Sequence, residues 1–176
     1  TQDWTTRVVA VAEAAIDPAE SGELAEDGTR ELFFRKTGVP VLYPGPFTRL
    51  RSLARPFLSV SLDGLVPHAL DPGAFEAKER NAWALTKWRE QLPLAVQIQI
   101  AHALLVTGWT WGVGVGRLGR FSLVWRRYER DDGFERAHLA ACEEMWARIQ
   151  SGNPPPVAGH PATGRALKAR FPKADG

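Results

Sequence analysis

A change of hydrophobic period at Phe57 sets the architecture of this chain. From there Leu58, Val60 and Leu62 alternate with Ser59, Ser61 and Asp63, the period-two pattern of a strand buried on one face. Upstream, residues 5–35 are rich in Ala, Glu, Leu and Phe, are broken at Pro18, Ser21 and Gly22, and stop at Gly38. That pattern predicts two helices, the second from about Gly22 to Lys36. Pro40–Pro46 holds three prolines and a glycine and reads as a loop or short extended piece, because such a stretch cannot hold a helix.

Beyond the first strand, Asp63-Gly64 and Asp71-Pro72-Gly73 punctuate, and Ala74 to Lys78 reads as a return strand. Pro93 opens a helix where a missing N–H costs nothing, and Gly108 ends it. Two more strands are expected at Trp109–Leu118 and Phe121–Glu129, turning at Gly119-Arg120, then a helix from about Asp132 to Gln150. Pro154-Pro155-Pro156 begins an extended tail with a short helix expected near Thr163–Ala169. Helices flanking a few central strands make a mixed α/β sandwich. A chain of 176 residues builds one sizeable core, so a single domain is expected over residues 1–176, with 151–176 as its proline-rich C-terminal tail.

Composition narrows the function classes. The longest apolar stretch, Leu92–Val106, is interrupted by Gln97, Gln99 and His102 and is too short to span a bilayer, so no membrane partner is expected. One cysteine, Cys142, rules out a disulfide framework and any multi-cysteine zinc site. No secretory leader is read at the N-terminus, and the cytoplasm is the expected compartment. The chain starts at Thr1 without a methionine, consistent with a missing N-terminal piece. Net charge is only +2, yet basic residues gather at Arg49, Arg51 and Arg55, at Lys78, Arg80, Lys87 and Arg89, and at Arg126, Arg127 and Arg130. Such patches bind phosphates despite an overall balance, although each alone is equally a solvated face.

Phosphodiester hydrolysis needs phosphate charge neutralised, a water deprotonated and a leaving oxygen stabilised, and one or two Mg²⁺ ions supply all three. Mg²⁺ prefers hard oxygen ligands. Asp63 ends the first strand and Glu76 lies inside the return strand, so a hairpin brings both carboxylates to one place. Lys78, two residues after Glu76, leaves the same strand face and sets an ammonium beside the attacking water or the scissile phosphate. Taken alone, an acid followed by a lysine two residues on is common by chance.

The series Phe57-Leu58-Ser59-Val60-Ser61-Leu62-Asp63-Gly64, then Phe75-Glu76-Ala77-Lys78, then Gln97-Ile98-Gln99 before Val106-Thr107-Gly108, resembles the lambda exonuclease and YqaJ-type viral recombinase family of the PD-(D/E)xK nuclease superfamily. Gly22, Glu26 and Thr37-Gly38 resemble that family's helix with an extra active-site glutamate, and Trp146 with Gly152-Asn153-Pro154-Pro155 resembles its C-terminal exit. The resemblance implies a restriction-endonuclease-like core, a central mixed sheet flanked by helices. It implies Asp63, Glu76 and the Ala77 carbonyl as ligands of Mg²⁺ or Mn²⁺, Lys78 at the attacking water, and Glu26 in support, with Glu31 less favoured. Leu62 stands where the family often has proline, which is not a ligand.

Gln97 shares a helix side with Ala101, Leu104 and Leu105, where an unpaired amide costs about 1–3 kcal/mol. The resemblance gives it the active site as partner, while Gln99 ranks second. His68, His102, His138 and His160 lack ligand spacing and read as structural or surface residues. Gly112-Val113-Gly114-Val115-Gly116 is no phosphate loop, since no Lys-Ser or Lys-Thr follows, and marks a strand that another backbone approaches closely. Trp83, Trp88, Trp109, Trp111 and Trp125 read as core or rim.

The resulting expectation is a metal-dependent deoxyribonuclease digesting one strand of linear double-stranded DNA from its end in phage-type recombination. Its 5′-to-3′ polarity, a phage or prophage origin in a bacterial host and a single-strand annealing protein as partner come from the resemblance alone, while a homotrimer ring around the duplex comes from the resemblance joined to the low net charge, which gives little long-range hold on DNA. Trp125, Arg126, Arg127 and Tyr128 are candidates for the ring interface or channel, although core-and-surface alternation explains them equally well. The rivals are a structure-specific or restriction-like endonuclease on the same fold, and a catalytically silent nucleic-acid-binding module.

Overall fold

In a computed structural model, residues 18–119, 121–156 and 161–170 are described. Two compact units divide the chain, Thr1–Glu135 and Arg136–Gly176. In the first, helix α1 (Pro18–Thr37) precedes short strands β1 (Leu50–Arg51), β2 (Ser59–Val60) and β3 (Gly64–Val66) and the long β4 (Gly73–Arg80). A 3-10 turn at Ala82–Ala84, α2 (Leu85–Glu90) and α3 (Leu94–Thr107) follow, then β5 (Trp111–Leu118) and β6 (Ser122–Glu129). Helix α4 spans Asp132–Ser151, and the second unit also holds α5 (Pro161–Arg170).

The main sheet has the order β3-β4-β5-β6, with β4 and β5 parallel and the outer pairs antiparallel. A parallel pair needs a crossover, here supplied by α2 and α3. Buried side chains run without a break from Gly73 to Ala77, as expected of a strand covered on both faces. On one face Phe75, Ala77, Val113 and Val115 pack with Phe33 of α1. On the other, Ala74 and Leu118 meet Trp88 of α2 and Val96, Ile100 and Leu104 of α3. Trp88 is almost wholly buried, and truncating such a side chain to Ala costs roughly 3–5 kcal/mol.

Gly112, Gly114 and Gly116 lie on the face that α2 and α3 cover. A Cβ at Gly112 would stand 2.5 Å from Ile100 and 2.9 Å from the Ala74 carbonyl. At Gly114 it would meet Leu92 at 2.6 Å, and at Gly116 the Trp88 ring at 2.9 Å. The glycine stripe therefore admits mostly helix side chains, where the sequence had suggested another backbone; only the Ala74 carbonyl fits that expectation.

Other expectations change in detail. Ser21 and Gly22 sit inside α1 instead of breaking it: Pro18 stands in the first turn, where no N–H is required, and a lone helical glycine costs only about 1 kcal/mol. The earlier predicted helix lies outside the described residues. The strand expected through Asp63 divides into β2 and β3, with Leu58 and Leu62 still buried. The chain bends at Asp63 as expected, and Gly64 opens β3 opposite Phe75, where a Cβ would lie 2.6 Å from Val41. Pro93 and Gly108 bound α3, with Gly108 left-handed at φ 79°. Helix α2 was unforeseen. The tail holds a helix two residues longer at its start than expected and one residue longer at its end.

Candidate active site

Three elements meet around Asp63. The residue occupies the bend between β2 and β3, while Glu76 and Lys78 project from one face of β4 at the two-residue repeat. Asp63 Oδ2 accepts the Ala77 N–H at 2.9 Å, which fixes the carboxylate against the neighbouring strand. Lys78 Nζ donates to Glu76 Oε1, donates to the Ala77 carbonyl at 3.0 Å, and lies 3.8 Å from Asp63 Oδ2. Asp63, Glu76, the Ala77 carbonyl and Lys78 thus form one cluster.

Burial controls its electrostatics. Glu76 is only 9% exposed, and loss of solvent, followed by the nearby Asp63 charge, pushes its carboxyl pKa up to about 7 despite Lys78. Burial also raises the Asp63 pKa, opposed by the Ala77 N–H and by Lys78 and Arg30. Two crowded carboxylates sharing one ammonium favour a further positive charge. Three oxygen donors already converge on a cation, the Lys78 ammonium, and carboxylate and carbonyl oxygens are the ligands that hard divalent ions take. The residues present fit Mg²⁺ or Mn²⁺.

Glu26, Arg30 and Phe33 are spaced along one face of α1 at helical repeat, and the Glu26 charge raises the Glu76 pKa. Glu31 leaves another side, where it pairs with Arg35 at 2.6 Å. Gln97 Nε2 donates to the Leu92 carbonyl at 2.6 Å, so this amide holds the chain leading into α3, while Gln99 is exposed. His102 meets the Ser59 carbonyl at 3.1 Å, and His138 lies 3.8 Å from Cys142 one turn along α4.

Sequence reasoning missed Arg30. It is nearly buried, donates to the Asp63 carbonyl and to Asp27, and stacks over Tyr43 at 4.2 Å. Its place one turn after Glu26 was the available signal. The residues proposed for a ring are engaged locally: Trp125 packs edge-on against Phe33, Arg126 donates to the Trp88 carbonyl at 3.0 Å, and Arg127 stacks on Trp111 at 4.2 Å. No helix among the described residues is long and apolar enough to cross a membrane.

Two crystal structures resemble 96% of this chain and cover 81% of their own, each at 20% identity: LHK-Exo in complex with dAMP, with TM-score 0.66, and the alkaline exonuclease LHK-Exo from Laribacter hongkongensis, with TM-score 0.65. This likeness shows the fold, a PD-(D/E)xK-type mixed sheet flanked by helices. No curated protein matches the sequence. The YqaJ-like viral recombinase domain matches residues 3–110, more than half of the chain and inclusive of Asp63, Glu76 and Lys78, and the chain belongs to that family.

Proposed function

We propose that the protein is a divalent-metal-dependent deoxyribonuclease that removes nucleotides from the ends of linear double-stranded DNA, running 5′ to 3′. The observation that carries this reading is the meeting of Asp63, Glu76 and the Ala77 carbonyl around one cationic group. Family membership supports nuclease chemistry. The structural neighbours support its exonuclease form, one being described as an alkaline exonuclease and the other as bound to dAMP, a nucleoside monophosphate.

Asp63, Glu76 and the Ala77 carbonyl would hold Mg²⁺ or Mn²⁺. When bound, such an ion supplies charge neutralisation on the phosphate and a more acidic water. Asp63 is kept in place by the Ala77 N–H, so its carboxylate needs little rearrangement. Lys78 is held within reach of the same centre, where its ammonium orients the attacking water and balances developing negative charge. Glu26 adds negative charge from the α1 side.

Release of acid-soluble nucleotides from linear duplex DNA, with and without Mg²⁺, tests the proposal. Asp63→Asn and Glu76→Gln are each expected to lose more than about 90% of the rate, over 1.4 kcal/mol in barrier. Retention of more than a tenth by either variant would overturn the ligand assignment. Covalently closed circular DNA should remain intact, and its cleavage would instead mark an endonuclease.

A further inference from the structure

Between Glu31 and Asp63 the sequence carries no acidic residue but five basic ones, Arg35, Lys36, Arg49, Arg51 and Arg55. The last three belong to a two-stranded arm in which β1 pairs with β2, Leu50 with Val60 and Arg51 with Ser59. Leu50 and Val60 pack against the α3-side core, and Leu58 is buried, so the arm is fastened to the layer beneath it. Arg49 and Arg51 flank Leu50 and turn to solvent. Neither forms an ion pair among the described residues.

The chain entering the arm is equally specific. Pro44-Gly45-Pro46 makes a tight turn, with Gly45 at φ 102°. Thr48 closes it, donating its N–H to the Gly45 carbonyl at 3.2 Å and its hydroxyl to the Pro44 carbonyl at 2.6 Å. This turn presents Phe47 to solvent at 97% exposure, and Leu53 at the other bend is 100% exposed. The turn thus holds an aromatic ring in water two residues before Arg49, which like Arg51 has no ion pair among the described residues.

We propose that this arm, residues 43–60, is a DNA-gripping element: Arg49 and Arg51 contact backbone phosphates, and Phe47 stacks on an exposed base at the duplex end. The inference rests on the nuclease reading and extends it to a surface outside the Asp63 cluster. Charge complementarity selects a polyanion, and position selects DNA over an acidic protein. Ser59, the partner of Arg51, is four residues before Asp63, at most about 13 Å along the chain. At 3.4 Å of rise per nucleotide in one strand, that reach covers roughly four nucleotides beside the cleavage position. An arginine spaced in this way holds the strand being cut, and an aromatic ring stacks on bases irrespective of sequence.

The test is equilibrium binding of the full chain to a fluorescently labelled linear duplex with a short single-stranded end, titrated over salt in Ca²⁺ to suppress cleavage. Replacing Arg49 and Arg51 together by Ala should lower the slope of log K against log salt by about 1.4–1.8, between the single-strand and duplex values for two phosphate contacts. Phe47→Ala should weaken binding roughly tenfold while leaving that slope unchanged, as loss of a stacking contact does. Unchanged melting temperatures in both variants keep folding out of the comparison, since all three side chains are exposed. If wild type binds DNA and the arginine variant keeps its slope, the arm proposal falls alone and an acidic protein surface becomes its partner. If wild type neither binds nor cuts DNA, the nuclease reading falls with it.

Discussion

Glu76 and Gly114 stand opposite each other in the parallel pairing of β4 and β5. Because Gly114 has no side chain, Leu92 and Val96 occupy the space beside the carboxylate's strand; a Cβ there would lie 2.6 Å and 2.9 Å from them. The glycine stripe thus lets an apolar layer close over β5, next to the strand that carries Glu76.

The stripe makes an ordered prediction. Gly112→Ala should be more destabilising than Gly114→Ala, because the new methyl at 112 meets the Ala74 backbone carbonyl, whereas at 114 it meets side-chain ends. Overpacking of this kind costs about 1–3 kcal/mol. Urea denaturation of both variants checks the order, and equal losses would show that β4 and β5 move apart easily.

Stability should also depend on pH through Glu76. An ordinary glutamate releases its proton near 4.5, whereas in the folded protein Glu76 holds it up to about 7. Between these values the folded state binds the extra proton, so stability drawn from this group is present below pH 4.5 and declines as pH rises through 7, by at most about 1.4 kcal/mol per pH unit. Glu76→Gln should remove that decline. Without metal the variant should therefore gain on wild type from pH 5 to 7.5 in thermal melts. Parallel curves would mean that Glu76 is ionised throughout.

Arg30 should matter more to folding than the acid it pairs with. Its side chain is 10% exposed while that of Asp27 is 66% exposed, and exposed ion pairs contribute about 0–1 kcal/mol. Arg30→Met strands the Asp63 carbonyl and should cost roughly 2 kcal/mol, with Asp27→Asn within about 0.5 kcal/mol of wild type. Cleavage should fall in Arg30→Met at temperatures where it remains folded, since the bend carrying Asp63 loses its tie to α1. Equal effects of the two substitutions would contradict this.

Gln97→Ala should reduce both stability, by about 1 kcal/mol, and cleavage, since the Leu92 carbonyl loses its donor and Leu92 fills the space over Gly114. Gln99 is exposed, and Gln99→Ala should change little. A larger effect at Gln99 in nuclease and denaturation assays would overturn the assignment.

That Asp63, Glu76 and Lys78 would stand close together was legible in the sequence, because strand period puts Glu76 and Lys78 on one face and an acid ending an apolar alternation marks a strand edge. Helix α3 was legible too, since Pro93 and Gly108 are local signals whose backbone preferences need no tertiary partner. What required the fold was every relationship between distant segments. Arg30 looks like any surface arginine until α1 packs on the sheet and delivers it to the Asp63 carbonyl. The need for glycine at position 64 comes from Val41, far away in the chain, which leaves no room for a side chain there. Local residue preferences determined the elements and the chemistry of the cluster; packing between layers decided which groups lose water, and therefore which carboxylate keeps its proton.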